Sequence, residues 1–169
     1  MNTRSRIIVI SIAVAFLIFA LFAGHFNMAV FIAGGIAYVV WSHFREGTVS
    51  LATQSFHKHD YEKTKKLLLE IKDPDKLRKG RRSFYEFMQG NIALKEERID
   101  EAEYHFQLAS RLPWRNAIEK GFVLINLANI ALRKKEFERV TAYLDLAKAL
   151  KLTARQTHII NKIENELKK

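Results

Sequence analysis

The sequence predicts an all-α protein: an N-terminal two-helix transmembrane hairpin, then an α-solenoid of about three helical hairpins with a C-terminal capping helix. Three observations lead there. From Ile7 to Phe44 there is no Lys, Arg, Asp or Glu, in a chain of 169 residues. Behind that stretch, five rows of small and apolar residues recur every 38 residues: Ala52/Gly90/Ala128, Tyr61/Ile99/Phe137, Thr64/Ala102/Val140, Leu68/Phe106/Leu144 and Ile71/Ala109/Ala147. A fixed period of this length marks stacked helical hairpins, each unable to bury its apolar face without its neighbours. Only two prolines and seven glycines are present to interrupt helices.

The first segment, residues 1–45, holds two apolar runs. Ile7 to Ala23 has Ser11 as its only polar member, Gly24-His25-Phe26-Asn27 breaks it, and Met28 to Phe44 follows. Helices over 7–23 and 28–44 would each be about 25 Å long, close to the lower limit for a bilayer core of about 30 Å. Tyr38 and Trp41 fall where the second helix would meet the headgroups. An uncleaved anchor is favoured over a signal peptide because the apolar run is long and no small-x-small cleavage site follows it. A re-entrant loop is the lesser option. Arg4 and Arg6 precede the hairpin, Arg45 follows it, and the turn has no Lys or Arg. The positive-inside rule then places both termini in the cytoplasm, and the default location is a bacterial cytoplasmic membrane. Ala29, Ala33 and Ala37 form a small-residue row that would pack on the first helix or, alternatively, on a second copy of the chain.

Residues 45–169 carry all 18 acidic residues and 26 of the 28 basic ones, a net of +8. The absence of cysteine excludes disulfides, thiolate metal sites and S-acylation, and fits a reducing compartment. Repeats are expected at about 46–79, 81–113 and 115–150. Their helix pairs lie near 48–58 and 60–72, 81–96 and 99–111, and 115–135 and 137–150, with Asp60 as an N-cap. Gly47-Thr48 is expected to break the chain between membrane segment and stack, with a continuous helix through it as the alternative. Thr153 would cap a last helix over 153–168 whose stripe Ile159, Ile160, Ile163 and Leu167 closes the open end of the array.

The second repeat carries the strongest local pattern: Gly90 in its first helix, then Ala102, Phe106 and Ala109 on one face of its second, with Pro113 beyond. It resembles the tetratricopeptide repeat, in which small residues let paired helices touch and an aromatic ring fills the space towards the next hairpin. The resemblance covers roughly residues 46–150. It departs from the family at Glu86, Gln89 and Ala93, where an aromatic, a leucine and a tyrosine are usual, and in its period, which is usually near 34. The resemblance implies a protein-binding module whose first helices line a concave groove. Carried onto this chain, the groove positions are Thr53, Phe56 and His57; Phe84, Phe87, Asn91, Leu94 and Lys95; and Phe122, Ile125, Asn129, Leu132 and Arg133. Asn91/Lys95 and Asn129/Arg133 are each four apart, so each pair shares a helix face. Stacked in register they would form a ladder similar to the carboxylate-clamp version of the fold, suited to an acidic or acidic-apolar segment of a partner. Ordinary solvent-facing polarity is the competing account of the ladder, and packing between hairpins that of Phe84 and Phe122.

Lys76, Arg78, Lys79, Arg81 and Arg82 crowd seven positions in the connection between the first two hairpins. They suit a solvated loop or contact with anionic lipid; no RNA-binding fingerprint accompanies them, so nucleic acid is not expected. None of the six histidines has a zinc-helix partner, and no phosphate-binding glycine loop or nucleophile elbow is present. The expectation is therefore a non-enzyme with no cofactor or metal. It would serve as a membrane-anchored adaptor or, alternatively, as an assembly, quality-control or regulatory subunit of a membrane complex.

Overall fold

The computed structural model describes the backbone of residues 14–20 and 22–167, and the side chains of all of these except 39–46. The described residues are helical throughout apart from turns and short connections, with no strand among them. Two compact units divide between Gly47 and Thr48.

In the first unit, residues 14–20 form α1, and Gly24 makes the turn with a positive φ of 73°. Here glycine is needed: its backbone lies in the left-handed region that side-chain-bearing residues rarely adopt. The His25 N–H closes the turn onto the Ala20 carbonyl at 2.9 Å. α2 then runs from Phe26 to His57. Ala20 and Ala29, on either side of the turn, are buried, whereas Phe16, Phe19, Phe22, Phe26, Val30 and Phe31 are exposed. No helix among the described residues is long and apolar enough to cross a membrane. The spans expected at 7–23 and 28–44 fall partly on residues 7–13 and 21 and on the side chains of 39–44, which lie outside the described residues.

The compact units divide at the expected Gly47-Thr48, while α2 is continuous through both residues, the alternative that the sequence left open. A single glycine costs a helix about 1 kcal/mol relative to alanine. With no proline within α2 and Val49 and Ala52 packed into the core of the first hairpin, that penalty does not end it.

The second unit follows the 38-residue register. The end of α2 pairs with α3 (Tyr61–Leu69), α4 (Lys79–Lys95) with α5 (Ile99–Arg111), and α6 (Ala117–Arg133) with α7 (Phe137–Lys148); α8 (Ala154–Leu167) comes last. A short 3-10 turn, Pro74–Lys76, links the first two hairpins. Most of the predicted rows lie in the core, but the row Tyr61/Ile99/Phe137 does not: Tyr61 and Ile99 are half-buried and Phe137 is exposed, and Ile71 is half-buried. Ala52, Ala128, Thr64, Ala102, Val140, Leu68, Phe106, Ala109 and Ala147 are at most 0% exposed and Leu144 2%. Apolar side chains gather in three clusters: one around Val49, Leu68 and Met88, one around Phe106, Val123 and Leu127, and one around Leu124, Leu144 and Ile160. Each hairpin completes its core with residues of the next.

The turns inside the hairpins repeat as closely as the helices do. His59, Glu97 and Lys135, spaced 38 apart, all have φ near 60°. In each turn the following N–H reaches back across it: Asp60 to Ser55 at 3.0 Å, Arg98 to Ala93 at 2.9 Å and Glu136 to Ala131 at 2.9 Å. The positive-φ residues themselves bond Phe56, Leu94 and Leu132 at 2.9, 3.2 and 3.0 Å. This pair of bonds is the Schellman arrangement, which satisfies carbonyls left open at a helix end.

α8 occupies the register of a fourth first helix. Ile160 stands 38 residues after Phe122, and Ile163 38 after Ile125; both isoleucines are buried in the last cluster. On the face where Leu124 and Ala128 of α6 meet α7, the matching residues of α8 are Lys162 and Glu166, both exposed. The helix thus keeps the face that packs backwards and carries charge on the face that would need a partner helix, as an end cap requires. Its N-terminus is held by a capping box. The Gln156 N–H donates to Thr153 Oγ1 at 3.3 Å, and the Thr153 N–H donates to Gln156 Oε1 at 2.9 Å. The buried Gln156 amide also donates to the Ile118 carbonyl at 2.7 Å, tying α8 to α6.

Candidate partner-binding site

The side chains expected to line a groove divide into packing residues and surface residues. Phe87 lies 5.8 Å from the Phe56 ring, 6.1 Å from Phe106 and 6.0 Å from Trp114, so it joins neighbouring hairpins. Ile125 is 4% exposed and belongs to the last core cluster. Leu94 and Leu132 are half-buried against the second and third clusters. These four offer little free surface. The ladder also separates. Asn91 turns its amide onto the Phe87 carbonyl of its own helix at 2.7 Å, an i−4 bond that competes with outside partners. Lys95 places its ammonium 4.0 Å above the Tyr61 ring of the first hairpin, a favourable cation–π contact. Asn129 is half-buried and Arg133 exposed.

Only part of the basic run lies in the connection: Lys76 ends the 3-10 turn and Arg78 precedes α4. Lys79, Arg81 and Arg82 lie in the first turn of α4, whose N-cap Arg78 makes no side-chain capping bond. The run also faces several directions. Lys76 pairs with Asp73 at 2.6 Å. Arg82 pairs with Asp75 at 2.6 Å and with Glu86, which is 1% exposed. Lys79 and Arg82 border a cavity of about 270 Å³ with Leu108 and Arg111, whereas Arg81 borders another.

That second cavity gathers several of the expected groove residues. It measures about 390 Å³ and lies between the last turns of α2 and the first turns of α4. Ser50, Thr53, Gln54, His57 and Lys58 line one side, Arg81 and Phe84 the other, with no acidic residue among them. Phe84 is backed by the Trp114 ring, whose centroid is 5.1 Å away. Trp114 is itself fixed by donating its indole N–H to the Ala109 carbonyl at 2.8 Å. Thr53 donates its hydroxyl to the Val49 carbonyl at 2.8 Å. Thr53, His57 and Phe84 were in the expected groove; Arg81 and Lys58 join them only through the fold.

On α6, Glu119 is close enough to His57 and Arg115 to feel their charge. Its Oε2 is buried with no hydrogen-bond partner. Burial raises the Glu119 pKa, and the two cations oppose that shift. Nothing in the local sequence sets Glu119 apart from other helix-start acids. The buried Glu86 has both oxygens engaged, one by Arg82 and the other by His105, whose Nδ1 lies at 2.6 Å. Among the described residues no group of three or more His, Asp or Glu is placed to hold a metal ion. Compared with known proteins, the chain matches no family model, no curated protein and no solved structure.

Proposed function

We propose that this chain is a membrane-anchored adaptor of tetratricopeptide-like build, whose repeat unit holds a peptide segment or helix of another protein. The observation that carries this reading is the stack itself: three hairpins in one register with one turn geometry and a charged cap. Such arrays spend their sequence on a continuous surface rather than on a catalytic constellation. Across that surface the cleft of Ser50, Thr53, His57, Arg81 and Phe84 supplies a cationic, partly apolar recess for a side chain of the partner. Anchoring is supported by the exposed Phe16, Phe19, Phe22, Phe26, Met28, Val30 and Phe31, in a stretch with no charged residue from Ile7 to Phe44. An exposed apolar surface of that extent calls for lipid or another apolar partner.

A second reading, an assembly or regulatory subunit of a membrane complex, draws on one observation. Ala29 is buried, but Ala33 and Ala37 of the same row are exposed, leaving room for a helix from another chain. Crosslinking of the full-length protein in its membrane, followed by mass spectrometry, tests both. Partner crosslinks that disappear with Arg81→Glu support the adaptor. Crosslinks that survive it and disappear with Ala33→Leu/Ala37→Leu support the subunit reading and sink the first.

A further inference from the structure

We propose that the cleft between α2 and α4 is a phosphate subsite, so that the partner segment is recognised when it carries a phosphomonoester. The inference rests on the adaptor reading and names the chemistry its surface selects. Three cationic or protonatable side chains meet at this one cavity: His57 from the end of α2, Lys58 from the turn after it, and Arg81 from the first turn of α4. No carboxylate lines it, although the unit as a whole has acids enough to pair most of its bases. Several basic side chains elsewhere are paired with carboxylates: Lys65 with Glu96, Lys134 with Asp100 and Glu103, Lys148 with Glu164.

The valence of the site decides between anions. A peptide carboxylate has one negative charge and is satisfied by a single guanidinium fork. A phosphomonoester carries about −1.5 to −2 at neutral pH and three strong acceptor oxygens. It is the better complement to an imidazole and an ammonium on one wall of the cleft and a guanidinium on the other. The Ser50 hydroxyl and Gln54 amide add neutral donors, and Phe84 offers an apolar wall for the carbon chain that bears the phosphate. The volume of about 390 Å³ suits a phosphorylated side chain. Glu119 sets a limit on the site. It lies outside the cleft but within electrostatic reach of His57, so its negative charge disfavours an incoming anion.

This arrangement gives two variants with opposite signs. Equilibrium dialysis of the full-length protein against O-phosphoserine should show saturable binding. Arg81→Gln, which removes the forked donor, should weaken it about tenfold, the equivalent of one charge-assisted hydrogen bond. Glu119→Gln should strengthen it, and Lys66→Gln, on the exposed face of α3, should leave it unchanged. Circular dichroism of each variant confirms the helical fold. O-phosphoserine bound no better than N-acetylglutamate, or bound equally by wild type and Arg81→Gln, overturns the proposal. So does binding confined to phosphatidic acid vesicles, which assigns the cleft to a lipid headgroup. A partner crosslinked equally with and without its phosphate sinks the subsite and leaves the adaptor standing.

Discussion

The ring of Phe106 lies against the bare Cα of Gly90, so close that a methyl group on Gly90 would come within 2.9 Å of two ring carbons. Phe106 is 0% exposed and has no room to withdraw. The first and third repeats solve the same contact differently, with Ala52 facing Leu68 and Ala128 facing Leu144 in their clusters. A smaller residue on the first helix thus accompanies a larger one on the second. Gly90→Ala should therefore destabilise by about 1–2 kcal/mol, the overpacking cost outweighing the gain in helix propensity. Gly90→Ala/Phe106→Leu should recover most of that loss by giving the second repeat the pairing of its neighbours. Urea unfolding of the two single variants and the double variant measures the coupling; additive losses would show that the two sites do not share the space.

The three left-handed turn residues make the next expectation. His59, Glu97 and Lys135 adopt φ near 60°, where a Cβ costs about 1–2 kcal/mol relative to the right-handed helix. Lys135 is exposed. Lys135→Gly should raise stability by about 0.5–1 kcal/mol, and Lys135→Val should lower it by at least as much. A thermal melt in which glycine lowers Tm would mean that the lysine side chain does more at this turn than its backbone shows.

These cases also mark what the sequence reveals and what it hides. Rows such as Thr64/Ala102/Val140 were legible because burial selects residue size, and size is written in the letters. His59, Glu97 and Lys135 share a conformation and no chemistry, so only the period could have pointed to them. The Asn91/Lys95 ladder was read from spacing on one helix. Spacing cannot show that the Asn91 amide folds onto Phe87, or that Lys95 reaches Tyr61. The cleft was half legible: Thr53, His57 and Phe84 come from the repeat pattern, while Arg81 reaches it because α4 starts earlier than the basic run suggested. The end cap was foreseen as a helix, but its place as a fourth first helix appears only when Ile160 is set 38 residues after Phe122.

The clasp at that cap is open to a separate test. Gln156 is fully buried and spends its side-chain amide on Thr153 and on the Ile118 carbonyl. Gly121 lies beneath it, and a Cβ there would sit 2.7 Å from Gln156 Nε2. Gln156→Ala should cost about 2 kcal/mol by leaving the Ile118 carbonyl and the Thr153 N–H without their partner. Hydrogen exchange should show the loss concentrated in α8. Uniform loosening of all the hairpins would instead mean that α8 is no separate cap.

The final expectation concerns two ion pairs that occupy one position in successive repeats with their signs reversed. Lys65 meets Glu96 at 2.6 Å, and 38 residues on Glu103 meets Lys134 at 2.6 Å. Exposure separates their worth. The Lys65 and Glu96 side chains are 41% and 33% exposed, so Lys65→Gln should cost no more than about 0.5 kcal/mol. Glu103 is 11% exposed and also binds Arg139; Glu103→Gln leaves two cations without their shared carboxylate and should cost about 2 kcal/mol at neutral pH. Burial pushes the Glu103 pKa up, but the hydrogen bonds from Lys134 and Arg139 outweigh it and hold the carboxyl below its usual 4.5. An acid whose pKa is depressed by folding adds its stability above the unfolded value and loses it as pH falls through the folded one. The gap between wild type and Glu103→Gln should accordingly be widest near pH 7 and close as the solution is acidified below the usual carboxylate range. A gap that stayed constant with pH would assign the effect of Glu103 to packing and remove charge from the account.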